Sequence, residues 1–207
     1  MARPREASRE VRDGLRAFFA LELADAARAS CLACLEPLRA LPGGDGVRWV
    51  KGENLHVTLR FLGTIAETRV AALAASVGDQ LTGIEPFALR LGAVRAFPNA
   101  RRPRVVVREV DPPEPLTRLA AAVERGVVDA GFEAELRRFR PHLTLGRIRA
   151  KAGFPDVTAV DTPASDAFDV TEIVLFRSEL HPSGSRYAAL ARLPLAPPET
   201  GRSSSPL

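Results

Sequence analysis

The chain has 207 residues, 46% of them hydrophobic and 26% charged, with a formal net charge of +4. This is long enough to bury a core and ordinary for a soluble globular protein, and no apolar run reaches the roughly 18 residues of a membrane span. Nearly all the positive charge is arginine, since Lys51 and Lys151 are the only lysines; this suits an anionic partner without identifying one.

Residues 1–13 mix Arg with Glu and Asp and read as a flexible arm, with no signal-peptide pattern, so a cytoplasmic protein is expected. Leu15 to Leu23 reads as a strand and Ala24 to Leu41 as a helix, with Leu32, Leu35 and Leu38 at roughly helical spacing. Cys31 and Cys34 fall inside that helix, at i and i+3, away from the strand-to-helix junction that a redox C-x-x-C needs; two buried thiols are expected. Pro42 to Gly46 is a stop, and Val47 to Val50 a short strand.

His56 to Gly63 follows as a strand, with Gly63 at its end. Side chains alternate with period 2, so His56, Thr58 and Arg60 share one face while Leu55, Val57, Leu59 and Phe61 point to a core. Thr64 to Leu81 carries an apolar stripe at Val70, Leu73, Ala74, Val77 and Leu81 and reads as a second helix. Phe87 to Leu91 alternates as a strand, Arg95 to Arg104 reads as a loop, and Val105 to Val107 as the returning strand. After a rigid connector at Asp111 to Pro115, Leu116 to Ala130 is a third helix ending at Gly131. Residues 150–168 are loop-like, Val170 to Leu180 and Tyr187 to Leu193 are strands around a turn holding His181, and 196–207 reads as a disordered tail. The order strand–helix–strands–helix–strands occurs loosely twice, which indicates an α+β fold of mainly antiparallel sheets with helices outside.

The pattern of the His56 strand returns at His142-Leu143-Thr144-Leu145-Gly146-Arg147. The shared string is H-x-T-L, offset by 142 − 56 = 86 residues, and it takes up two of the chain's three histidines. Each copy presents an imidazole and a hydroxyl about 6.6 Å apart on one strand face. Opposed across a cleft, the two copies supply two proton-transfer groups and two hydrogen-bond donors around one centre, which suits phosphoryl chemistry without a metal. No Asp/Glu cluster has ligand spacing and no P-loop is present, so no metal and no cofactor are expected.

These two H-x-T motifs resemble the signature of the two-histidine phosphoesterase superfamily. The wider phrases Arg48-Trp49-Val50, Glu53 to Gly63 and Phe139 to Arg147 resemble its RNA 2′,3′-cyclic phosphodiesterase branch, first described as bacterial 2′-5′ RNA ligases. Phe18 to Leu21 and Phe176 to Leu180 extend the likeness over roughly residues 14–195. The resemblance implies one domain of two pseudo-symmetric lobes, 14–195, with a motif strand lining each side of a cleft. It implies an enzyme that hydrolyses RNA or nucleotide 2′,3′-cyclic phosphate ends to 2′-phosphomonoesters, with 2′-5′ ligation as the reverse; a monomer is expected. The residues alone do not say which histidine is the acid; the resemblance implies that His56 is the proton donor and His142 the proton acceptor, with Thr58 and Thr144 on the phosphoryl oxygens.

Phe61 and Arg147 share the offset His+5, and in the family these positions line the base pocket. A regular strand puts both on the wrong face; Gly146 suggests a bulge that re-aims Arg147, while Phe61 remains open between base pocket and core. Arg60 is either a phosphate ligand on the His56 face or a solvated edge residue. Arg101 to Arg104 and Arg137 to Arg140 are candidates for an RNA backbone. The competing functions are a two-histidine phosphoesterase acting on another cyclic or 2′-5′-linked nucleotide, and a non-catalytic nucleotide- or RNA-binding module.

Overall fold

The computed structural model describes residues 14–149, 153–181 and 184–195; the arm at 1–13 and the tail at 196–207 lie outside them. Nine strands and three α-helices are present among the described residues: β1 (Leu15–Glu22), α1 (Asp25–Ala40), β2 (Val47–Trp49), β3 (His56–Ile65), α2 (Val70–Leu81), β4 (Phe87–Phe97), β5 (Val105–Asp111), α3 (Pro113–Asp129), β6 (Leu143–Ile148), β7 (Phe168–Val170), β8 (Glu172–His181) and β9 (Gly184–Pro194). They form two antiparallel sheets, in the order β3-β1-β8-β9 and β2-β6-β5-β4-β7. The α+β class expected from the sequence is the class observed.

Each sheet holds one motif. β3 lies at the edge of the first sheet, β6 lies second in the other, and the two strands approach within 8 Å at Cα. A single apolar cluster runs through both sheets and all three helices, including Phe19, Val57, Leu73, Leu91, Leu119, Leu143 and Ile173. The helices bury most of the residues their periodicity predicts; Leu32 of α1, expected with Leu35 and Leu38, is instead 45% exposed. Cys31, Leu35 and Leu38 of α1, Leu73 and Val77 of α2, and Leu116, Leu119 and Val123 of α3 are all sealed from water.

α2 and α3 pack side by side, α2 touching β9 and α3 touching β3. Their close approach depends on Gly126. A methyl group there would stand 2.5 Å from the Val77 Cα and 2.8 Å from the Ser76 carbonyl oxygen, both backbone atoms. Gly126→Ala is therefore expected to separate the helices and lower stability by about 1–3 kcal/mol, despite alanine's better helix propensity. Urea denaturation checks this; an unchanged or raised midpoint would refute the packing argument.

Several boundaries differ from the sequence reading, four of them with a clear local cause or a bearing on the site. β3 continues through Gly63 to Ile65, because the glycine takes a left-handed φ of 72° inside a bulged strand rather than ending it. α2 starts at Val70, later than expected. α3 starts at Pro113, where the fixed φ of proline suits a first helical position. β4 runs to Phe97 instead of stopping near Leu91, since a bulge between Leu91 and Val94 breaks the alternation that marked the strand. The last difference bears on the site.

Arg108 on β5 is 1% exposed and gave no signal in the sequence. Its guanidinium donates to the carbonyls of Leu91, Gly92 and Pro163 and to Ser30 Oγ, which ties α1, β4 and the 163–165 segment to the second sheet. The thiol of Cys31 lies in its field, yet burial outweighs that charge and pushes the Cys31 pKa up to about 11. Cys31 and Cys34 are free, buried and held as neutral thiols, which matches the expectation from their helical spacing.

Candidate active site

The two histidines are held in the same way. The carbonyl of Asn54 lies 2.7 Å from Nδ1 of His56, and the carbonyl of Arg140 lies 2.6 Å from Nδ1 of His142. A carbonyl only accepts, so Nδ1 carries the hydrogen in both rings and Nε2 is left as the working nitrogen. Each anchor is the residue two positions before its histidine. Asn54 sits in a short turn, Gly52–Asn54, and its side chain donates to the Ser185 carbonyl of β9 at 2.7 Å. That bond fixes the carbonyl that orients His56. Sequence reading passed over Asn54.

Each ring rests on an aromatic bed. His56 lies 4.9 Å from the Phe18 ring and takes the edge of Tyr187 at 5.3 Å, near perpendicular. His142 stacks on Phe97 at 4.8 Å and 20°. Of these, Phe97 was placed in a loop by the sequence, and Tyr187 and Phe18 only in strands. The signal for Phe97 was present in Ala93 to Phe97, which is strand-compatible, but the bulge hid it.

Strand bulges decide which neighbours join the histidines. On β3, Thr58 pairs with Ala20 and Arg60 with Phe19, so Leu59 has no partner on β1. On β6, Thr144 pairs with Val107 and Gly146 with Val106, so Leu145 has no partner on β5. Both extra residues stand at His+3. One unpaired residue reverses the parity of everything after it. Phe61 therefore shares the face of Phe18, which touches His56, and the two rings are 5.5 Å apart. Arg147 likewise shares the face of Thr144, through Val105 and Val107. Of the two options left open for Phe61, the structure excludes the core: the side chain is 51% exposed, on the histidine face.

The same bulge removes Arg60. Its guanidinium makes a 2.6 Å ion pair with Glu124 of α3 and donates to the carbonyls of Phe61 and Glu133, each at 2.6 Å. Arg60 does not share the His56 face, because Leu59 turns the strand between them; its placement as a substrate ligand is corrected to a strand-to-helix tie. Glu124 also accepts from the Glu135 backbone, so the tie holds the segment that leads toward His142.

Burial lowers the pKa of His56 and of His142, only partly offset by the bonds to Asn54 and Arg140; the Arg147 charge lowers His56 further, and the Arg140 and Arg147 charges lower His142 further. The strands that carry the two motifs approach within 8 Å at Cα. Thr58 Oγ1 is 3.0 Å from Nε2 of His56, while Nε2 of His142 has no hydrogen-bond partner among the described residues. No cluster of three or more His, Cys, Asp or Glu side chains suited to a metal occurs among the described residues, and none of their helices is long and apolar enough to cross a membrane. His181 closes β8 and is exposed.

Residues 21–182 match the model of the 2′-5′ RNA ligase superfamily. A protein named RNA 2′,3′-cyclic phosphodiesterase from Methanothermobacter thermautotrophicus is 32% identical over 177 residues, covering 84% of this chain and 95% of its own. One of the same name from Archaeoglobus fulgidus is 35% identical over 181 residues, covering 85% and 98%. Among solved structures, TT0787 of Thermus thermophilus superposes with a TM-score of 0.73 at 28% identity, covering 87% of this chain and 98% of that one. E. coli LigT complexed with 3′-AMP gives 0.70 at 29%, covering 88% and 99%.

Proposed function

Because the chain belongs to the 2′-5′ RNA ligase superfamily, we propose that it hydrolyses RNA 2′,3′-cyclic phosphate ends to 2′-phosphomonoesters without a metal, His56 and His142 acting as the proton-transfer pair. The observation that carries this reading is the matched tethering of the two rings, each with Nδ1 fixed on the carbonyl two residues before it and Nε2 turned to the motif threonine or left without a partner.

The steps follow from the groups present. The cyclic diester binds as an anion between the motifs, with Thr58 and Thr144 donating to the non-bridging oxygens. Nε2 of His142 takes a proton from water as the water oxygen bonds to phosphorus. The bond from phosphorus to the 3′ oxygen breaks, and Nε2–H of His56 protonates that oxygen. The product carries a 2′-phosphate and a 3′-hydroxyl, with His56 neutral and His142 protonated; proton exchange with solvent resets the pair. Run in the same direction, with a 5′-hydroxyl in place of water, the same steps form a 2′-5′ bond; run backwards, they cleave one. The freer Nε2 of His142 supports its role as the base. Phe61 and Arg147, brought to the site face by the two bulges, flank the position of the terminal base. The unit that does this is residues 14–195, acting as a cytoplasmic monomer, since one chain supplies both motifs.

Incubation with adenosine 2′,3′-cyclic phosphate in EDTA tests the proposal; 2′-AMP is the expected product, and its absence defeats the reading. The pH profile adds a sharper check. Activity needs one imidazole charged and the other neutral, so kcat/KM follows a bell whose maximum lies between the two free-enzyme pKa values. Both are lowered. The maximum is therefore expected below about pH 6.5, the ordinary imidazole value. The bound anion favours the charged ring, so the kcat bell should sit at higher pH than the kcat/KM bell. A kcat/KM maximum on the alkaline side of neutrality would contradict the burial argument.

A further inference from the structure

The carbonyls that hold the two histidines belong to residues of different charge, Asn54 for His56 and Arg140 for His142. The Asn54 amide is neutral and is spent on the Ser185 carbonyl. The Arg140 guanidinium lies 4.5 Å from the centre of the Phe97 ring, and that ring stacks on His142 at 4.8 Å. The cation therefore stands within about 9 Å of the imidazole centre, inside a Debye length of about 10 Å at 0.1 M salt. Among the described residues no carboxylate lies within 4 Å of it. Phe18 and Tyr187, the rings beside His56, carry no guanidinium over their faces among the described residues. Other charged groups surround His142. Arg95 of β4 and Glu109 of β5 pair with each other at 3.2 Å; Glu114 and Arg118 stand at the start of α3, Arg138 on the segment before β6, Arg147 on β6 and His56 on the neighbouring β3. Burial and Arg147 lower the pKa of both histidines, whereas the Arg140 charge lowers that of His142 alone.

We propose that Arg140 is the positioning residue that fits His142 for the role of proton acceptor: its carbonyl leaves Nε2 as the working nitrogen, and its guanidinium, set beside the ring through Phe97, keeps that nitrogen uncharged. The inference rests on the hydrolase reading and gives a cause for the division of roles, which two near-equal motifs leave open. A base must be neutral when substrate arrives, and an acid must be charged. One cation that acts on one ring of the pair biases them in that sense. After turnover the imidazolium of His142 stands beside the same cation, which favours passage of its proton to solvent. The bias costs some basicity, and the negative charge that builds on the phosphoryl oxygens offsets that cost in the transition state.

The test removes the charge and keeps the carbonyl, in Arg140→Gln, with Arg140→Lys as the variant that keeps the charge. Arg140 is exposed, so both should fold. The chain has three histidines, and NMR follows their ring signals across pH, with assignment from His56→Ala and His181→Ala. In Arg140→Gln the His142 titration should move up by about half a pH unit and that of His56 should stay; the difference should close as salt rises. Arg140→Lys should titrate like the intact chain. Kinetics on adenosine 2′,3′-cyclic phosphate then report the role. A base that protonates more readily costs activity only in acid, so kcat/KM of Arg140→Gln should fall about threefold on the acid limb and be unchanged on the alkaline limb. An unmoved His142 titration, or equal movement of both rings, overturns the proposal. So does a gain on the alkaline limb, which would make His142 the acid, and so does a loss equal at every pH, which would make Arg140 a contact of the substrate. If the intact chain turns over no cyclic phosphate, the hydrolase reading fails by itself, and the titrations alone decide whether Arg140 keeps His142 uncharged.

Discussion

His56→Ala and His142→Ala are each expected to lower kcat/KM on a 2′,3′-cyclic phosphate by about 10²–10⁴. Each removes the one nitrogen able to move a proton on its side of phosphorus, and His181, the chain's third histidine, belongs to neither motif. The double variant should be scarcely worse than the worse single one, because an acid and a base that act in one step fail together. Affinity for 2′-AMP should change little, and the circular dichroism spectrum should be retained, since both rings sit half-buried at the edge of the cleft rather than in the core. The pair also separates by role. A substrate with sulfur at the 3′ bridging position leaves as a stable thiolate and needs no acid. It should restore much of the rate to His56→Ala and little to His142→Ala. Restoration in the reverse order would exchange the two assignments. Full activity in both single variants would leave a nucleotide-binding module or a different site as the explanation of the fold.

Thr58→Val and Thr144→Val form the second large expectation, a loss of roughly 10²–10³ in kcat with little change in KM. Valine preserves the branched shape, so a loss reports the hydroxyl rather than a cavity. A donor aimed at a phosphoryl oxygen gains strength as charge builds there, which places the effect in the rate and not in ground-state binding. Thr58 has a further tie: its Oγ1 lies 3.0 Å from Nε2 of His56, so its loss also frees that ring. The Thr58 variant should therefore shift the pH profile as well as the rate, whereas the Thr144 variant should lower the rate alone. Thr58→Ser and Thr144→Ser restore the donor and should recover most of the activity. If the valine variants keep full kcat, the hydroxyls do not touch the transition state.

The repeated string His-x-Thr-Leu marked the two motif strands as counterparts and gave the face of their first two polar residues, because strand alternation is a local rule and a histidine close to its backbone goes where the strand sends it. The three helices were readable for a similar reason: their apolar stripes report the side that meets a core, whichever core that is. What lay beyond the string did not follow from alternation. Leu59 and Leu145 each stand unpaired against the neighbouring strand, and that single extra residue turned Phe61 and Arg147 toward the histidines and Arg60 toward Glu124. A bulge depends on the partner strand's register, which no local pattern records. The aromatic supports Phe18, Phe97 and Tyr187 and the anchor Asn54 were hidden for the same reason, since each acts on a histidine far from it in the chain or through a backbone carbonyl that every residue possesses. Sequence alone determined the chemical groups and the strands that bear them; tertiary structure decided which neighbours surround those groups, because strand register and close packing are set between segments and not within them.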